Sequence, residues 1–181
     1  MDQKIFLHIR KESIANFFFN AVVNGIIAWF IGRSAETLVL WDGGTSFGKD
    51  IVATTFFLLT IVALVVVPLK KKSVRNGKVP AIEWDQRLLF HRMLSKFPRN
   101  PILGALTFGF ISLVFIVPLT LLPFFALGIT EMTPFSFIVF KSIWGGILVA
   151  AMIWPIIMYA LGNAKVGVQE RERGIQMEII Q

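Results

Sequence analysis

An all-α integral membrane fold of four spanning helices is what this sequence predicts, and three observations predict it. Apolar residues make up 55% of the 181-residue chain and gather into four long blocks. Charged side chains are nearly absent from those blocks and crowd the stretches between them. Lysine and arginine are shared very unequally among those stretches. A soluble domain averages about 45–50% apolar residues, arranged in amphipathic periodicities. Each block here approaches the ~20 residues needed to cross the hydrocarbon core of a bilayer. The mean hydropathy of +0.71 agrees, and 18 Phe and 5 Trp against a single Tyr suit contact with lipid.

The first span is expected at 13–32. It reads as a retained helix, not a cleaved secretory signal. Three asparagines interrupt its apolar run, and a cut after Ala35 would put Arg33 where a small residue is wanted. Ser13, Asn16, Asn20 and Asn24 recur at spacings of three, four and four, which at 3.6 residues per turn places them on one helix face. Ala28 and Gly32 continue that face. An amide aimed into lipid leaves its donors and acceptors unmet, so the stripe must face protein or water. Two readings compete: glue between helices, contributing about 0.6–2 kcal/mol per polar pair, or part of a substrate path.

The second span is expected at 51–69, after a turn containing Gly43 and Gly44. A basic connection follows at 70–100. Its first part, to Pro80, is expected to be irregular. From about Asp85 to Phe97 the pattern is helical, with Leu89, Phe90, Met93, Leu94 and Phe97 on one face and Arg87, His91, Arg92, Ser95 and Lys96 on the other. Asp85 suits the N-cap and Pro98 ends the run. Such a helix, tethered between spans, is expected either to lie on the inner leaflet or to pack under a partner. In the first case Arg87, Arg92, Lys96 and Arg99 meet anionic headgroups, each contributing on the order of 1 kcal/mol.

The third span, 101–128, contains Pro118 and Pro123. Each removes a backbone donor and crowds the carbonyl four residues earlier, so a kink or a local unwinding beside a cavity is expected there. The fourth, 133–161, holds Lys141 about 12 Å from its start at 1.5 Å per residue. An ionisable group at that depth is a functional candidate by default. Yet 142–161 alone is long enough to span, so Lys141 is expected, by a small margin, to snorkel to the interface. A polar cluster of Asn24, Asp50, Thr54 and Lys141 beneath the outer surface is the sharpest site the sequence suggests. Gly145, Gly146, Ala150 and Ala151 form a small-residue face suited to close helix approach, within the bundle or between copies.

Direction follows from charge. Lys4, Arg10, Lys11, nine Lys and Arg in 70–100, and Lys165, Arg171 and Arg173 make fifteen on one side, against Arg33 and Lys49 on the other. Positive residues stay inside, which predicts a multi-pass protein of the cell membrane with both termini cytoplasmic and a tail from 162 to 181. The halves 1–69 and 101–161 then form two parallel helical hairpins with the marks of a tandem duplication. Thr45-Ser46-Phe47 is matched by Thr133-Pro134-Phe135, and Pro68 and Pro155 follow at 23 and 22 residues. The fifteen-to-two bias argues against a dual-topology dimer.

Chemistry is sparse. With no cysteine, disulfides, thiolate nucleophiles and iron–sulfur ligation are excluded. His8 and His91 lack carboxylates at ligand spacing, the tail acids Glu170, Glu172 and Glu178 interleave with arginine, and no phosphate loop, HExxH or nucleophile elbow occurs. The expectation is a non-enzymatic protein without cofactor. It acts as an accessory or assembly component of the membrane or, alternatively, as a small oligomeric permease or channel using Asn16, Asn20, Asn24 and Lys141. A lipid-handling or membrane-sensing role built on the interfacial helix is a third, weaker reading. Expected partners are the bilayer with its anionic lipids and either further copies or a membrane protein. The basic residues lie beside spans, where topology accounts for them, so nucleic acid is not among the partners.

Overall fold

The computed structural model describes residues 3–42 and 45–180, with side chains described for 6, 7, 9–42 and 45–164. The expected turn at Gly43-Gly44, the side chain of His8 and the charged side chains of the tail lie outside those. Five helices appear: α1 (Gln3–Gly32), α2 (Phe47–Arg75), α3 (Leu89–Ser95), α4 (Pro101–Ala126) and α5 (Pro134–Ile180). Four are long and apolar enough to cross a membrane, at Ile9–Gly32, Phe47–Arg75, Pro101–Ala126 and Pro134–Ala164. The chain is thus all-helical in its main elements and fits a multi-pass membrane protein. Two ends of the bundle are distinguishable: a basic end carrying the 76–100 connection, and a turn end carrying the other two connections.

Local chemistry accounts for the helix starts. Ser46 caps α2 by accepting from Lys49 N, and its own hydroxyl donates to Leu40 O at 2.5 Å. Asn100 caps α4, accepting from Ile102 N and Leu103 N, with Pro101 in the first turn. The Thr133 hydroxyl accepts from Ser136 N ahead of Pro134, where the fixed proline φ suits a helix start. The capping residue of α2 is therefore Ser46, not Thr45, one position off the alignment that pairs the two halves in sequence.

Several expectations need correction. All four spanning helices but α4 extend beyond the predicted spans, because a helix does not stop where the hydrocarbon does. The segment from 162, expected as a separate tail, continues α5 to Ile180. Helix α4 runs unbroken through Pro118 and Pro123, so no unwound stretch opens at either. The interfacial helix covers Leu89–Ser95 rather than 85–97. Asp85 does not cap it. Its carboxylate accepts from Arg87 N, and its own N–H donates to His91 Nδ1, which ties off the preceding turn.

The two turn-end connections meet in a feature the sequence reading lacked. Strands β1 (Leu38–Val39) and β2 (Glu131–Met132) pair antiparallel, with Leu38 opposite Met132 and Val39 opposite Glu131. Two residues of ladder clamp the first turn of the chain to the last.

Close helix packing runs across the halves. Helix α1 lies along α5, and α2 packs against both α4 and α5. Helices α4 and α5 meet through larger side chains: Phe124 against Phe140, and Trp144 Nε1 donating to Thr120 Oγ1 at 3.1 Å. Thus α5 is the centre of the bundle and its most buried span, while α1 is the least buried. Consecutive helices α1 and α2 are separated by a groove.

Two apolar clusters fill the interior. The turn-end cluster gathers Leu38, Leu40, Phe47, Ile51, Phe124 and Phe137. The basic-end cluster gathers Ile9, Val67, Leu94, Phe108, Ile157 and Tyr159, covered by Trp84, Phe90 and Phe97 from the connection and α3. Phe90 stacks on Trp154, and Tyr159 donates to Pro98 O. The short helix is therefore packed under the bundle along its Phe90–Leu94–Phe97 edge. Leu88, Leu89 and Met93 remain more than half exposed.

Candidate functional site

The asparagines of α1 and Thr54 of α2 border one feature, the groove between those two helices. Its α1 wall is Asn16, Phe19, Asn20, Val23, Asn24 and Ile27. Its α2 wall runs from Ala53 and Thr54 through Phe57, Leu58, Ile61 and Val62 to Val65 and Val66. Both sets recur at three- and four-residue spacing, so each is a single helix face. The volume of the groove is about 440 Å³. Phe19, Ile27, Phe57, Ile61 and Val65 are 44–68% exposed, so the groove opens sideways at the bundle surface.

The asparagine stripe follows a repeated pattern. Asn16 Nδ2 donates to Glu12 O, Asn20 Nδ2 to Asn16 O and Asn24 Nδ2 to Asn20 O, at 2.8–2.9 Å. Each amide thus bonds the carbonyl one turn back in its own helix, a short-range option open to any asparagine in a helix. Asn20 and Asn24 are buried, and Asn24 lies against α5. A Cβ built on Gly145 would sit 2.6 Å from Asn24 Nδ2, and one on Gly146 would sit 2.8 Å from Phe17 O. The expected small-residue face of α5 therefore receives α1. Ala150 borders a shallow hollow beside Ser13 and Phe17, and Ala151 is exposed.

Lys141 is 1% exposed, and its ammonium donates to Asp50 Oδ1 at 2.6 Å. This overturns the expectation that it snorkels. The reason is proximity: Asp50, in the first turn of α2, offers a counter-charge within hydrogen-bond distance. Thr54 Oγ1 lies 3.5 Å from Asp50 Oδ2, and the Phe137 ring lies 5.6 Å from the ammonium. Of the expected cluster, Asp50, Thr54 and Lys141 come together. Asn24 borders the same groove as Thr54 but spends its amide N–H on its own helix.

A second ion pair escaped the sequence reading. Lys70 Nζ meets Glu12 Oε1 at 2.8 Å and ties α2 to α1 at the basic end. The available signal was that Glu12 is the sole carboxylate in residues 3–35. What sequence cannot choose is which of Lys70, Lys71 and Lys72 it meets. The groove thus lies between two ion pairs, Glu12–Lys70 a turn beyond Asn16 and Val66, and Asp50–Lys141 a turn beyond Thr54.

No family model, curated protein or solved structure matches this chain. Function is therefore argued from the site alone. Arg87, Arg92, Lys96 and Arg99 lie away from the groove; all four are exposed, next to exposed Leu88, Leu89 and Met93. The imidazole of His91 accepts from Asp85 N and meets the Trp84 ring edge to face.

Proposed function

We propose that this chain is a non-enzymatic component of the cell membrane that works by binding: it holds an apolar guest in the groove between α1 and α2, as an accessory or assembly subunit would. The observation that carries this reading is how the polar groups of the groove and its turn end are engaged. A conduction path needs polar groups turned toward the moving solute. Here each asparagine amide gives one N–H to a carbonyl of α1, and Lys141 is neutralised by Asp50. What remains facing the groove is mostly hydrocarbon. In this reading both termini are cytoplasmic, and the exposed Leu88, Leu89 and Met93 with Arg87, Arg92, Lys96 and Arg99 rest on an anionic leaflet.

The rival reading is a small oligomeric permease, and the Asp50–Lys141 pair is the feature that favours it, since charged pairs within spans also serve proton and ion relays. Reconstitution into liposomes separates the two. The expected result is a flux of protons, monovalent ions and small polar solutes no greater than that of empty vesicles. Flux that is abolished in Lys141→Met would replace binding with transport.

A further inference from the structure

We infer that the guest of the α1/α2 groove is one hydrocarbon chain of an anionic phospholipid, lying lengthwise with its headgroup at the Glu12–Lys70 end. This rests on the binding reading above and names its occupant. Girth is the first argument. From Ala53 to Val66 the α2 wall rises about 20 Å at 1.5 Å per residue. A volume of about 440 Å³ spread over that length leaves a long, narrow slot between two side-chain walls. Its length and narrowness suit a single extended hydrocarbon chain.

Wall chemistry agrees. Close helix contacts in membranes are enriched in small residues, and such seams here, Gly25 and Gly145 between α1 and α5 and Gly109 between α4 and α2, are already occupied. The groove instead offers Phe19, Val23, Phe57, Leu58 and Ile61. Asn20 and Asn24 are buried and each asparagine amide gives one N–H to a carbonyl of α1, so the lining an occupant meets is mostly hydrocarbon.

Charge sets the direction. Around the Glu12–Lys70 end stand Arg10, Lys11, Lys72 and Arg75, all exposed. The other end carries fewer cations, Lys49 and Arg33, beside the closed Asp50–Lys141 pair. An anionic headgroup therefore belongs at the basic end, where each nearby cation is favourable.

Native mass spectrometry tests this on the full chain taken from vesicles of mixed phosphatidylglycerol and phosphatidylcholine into mild detergent. One phosphatidylglycerol retained per chain, in preference to phosphatidylcholine, is the expected result. Val23→Phe and Ala53→Phe, which enlarge opposite walls of the groove, should each lower its occupancy about tenfold, the equivalent of mild overpacking. Replacing Arg10 and Lys11 with Gln should reduce the headgroup preference while a lipid is still retained. Wild type emerging without lipid, or both filled variants retaining as much as wild type, would overturn the inference. So would a second protein's helix cross-linking efficiently to a cysteine at Val65. Lipid-free protein that also shows no flux sinks this inference alone, whereas Lys141-dependent flux sinks the functional reading beneath it.

Discussion

At the scale of single residues, Lys141 and Asp50 are the most consequential pair in the bundle. Their side chains are 2% and 14% exposed and lie 2.6 Å apart. Breaking such a pair strands one charge away from water, at a cost of about 3–5 kcal/mol. Lys141→Met and Asp50→Leu should therefore each lower thermal stability in detergent markedly. The double variant should regain most of the loss, because it leaves no unpaired charge. A thermal-melt double-mutant cycle measures this coupling directly, and additive single effects would show that the two groups act independently. The sequence pointed to both residues but not to their distance, since 91 positions separate them and only the tertiary fold decides whether Lys141 finds Asp50 or a headgroup first. The asparagines were legible as a shared face from their spacing. That their amides turn back onto the preceding carbonyls is a rotamer choice, and spacing does not encode it.

At the scale of elements, the seam between α1 and α5 decides the architecture. Gly145 lets the Asn24 side chain approach α5 closely, and with Gly25 opposite Ser142 it makes the contact nearly side-chain-free on one partner. In an isolated helix Gly→Ala is favourable by roughly 1 kcal/mol. Here the added carbon collides, so Gly145→Ala should lower stability despite its better propensity, and Gly145→Leu should do so by about 1–3 kcal/mol or more. Thermal unfolding monitored by the intrinsic tryptophans checks the sign, and a stabilised Gly145→Ala would mean that α1 stands farther off. Helix α3 shows how far an amphipathic pattern carries. Of its expected apolar face, Phe90, Leu94 and Phe97 are packed against the basic-end cluster while Leu89 and Met93 are exposed.

At the scale of the whole molecule, an even number of spans returns the chain to its starting side. Because there is no native cysteine, single introduced cysteines report sidedness without background. Cysteines at Lys78 and Arg99 should label from one face of the membrane and those at Glu36 and Glu131 from the other. Labelling of Lys78 and Glu36 from the same face would break the four-span account. Glu12–Lys70 fastens α1 to α2 at the basic end, while Asp50–Lys141 holds α2 to α5 and the β1–β2 ladder ties the two turns at the other, an arrangement suited to a fixed slot.

The sequence by itself determined the solvent of this protein, the number of its spans and the residues that interrupt their hydrocarbon. Those follow from composition and short-range spacing, because the energetic penalty for unpaired polar groups in lipid acts on each segment separately. Only the tertiary structure decided which helices touch. In the order α1 on α5, α5 on α2, α2 on α4, glycines meet side chains many positions away at the first and last seams, and Lys141 meets Asp50 at the middle one. The groove, and the pairing of Glu12 with Lys70 and of Asp50 with Lys141, are consequences of that order and belong to no segment alone.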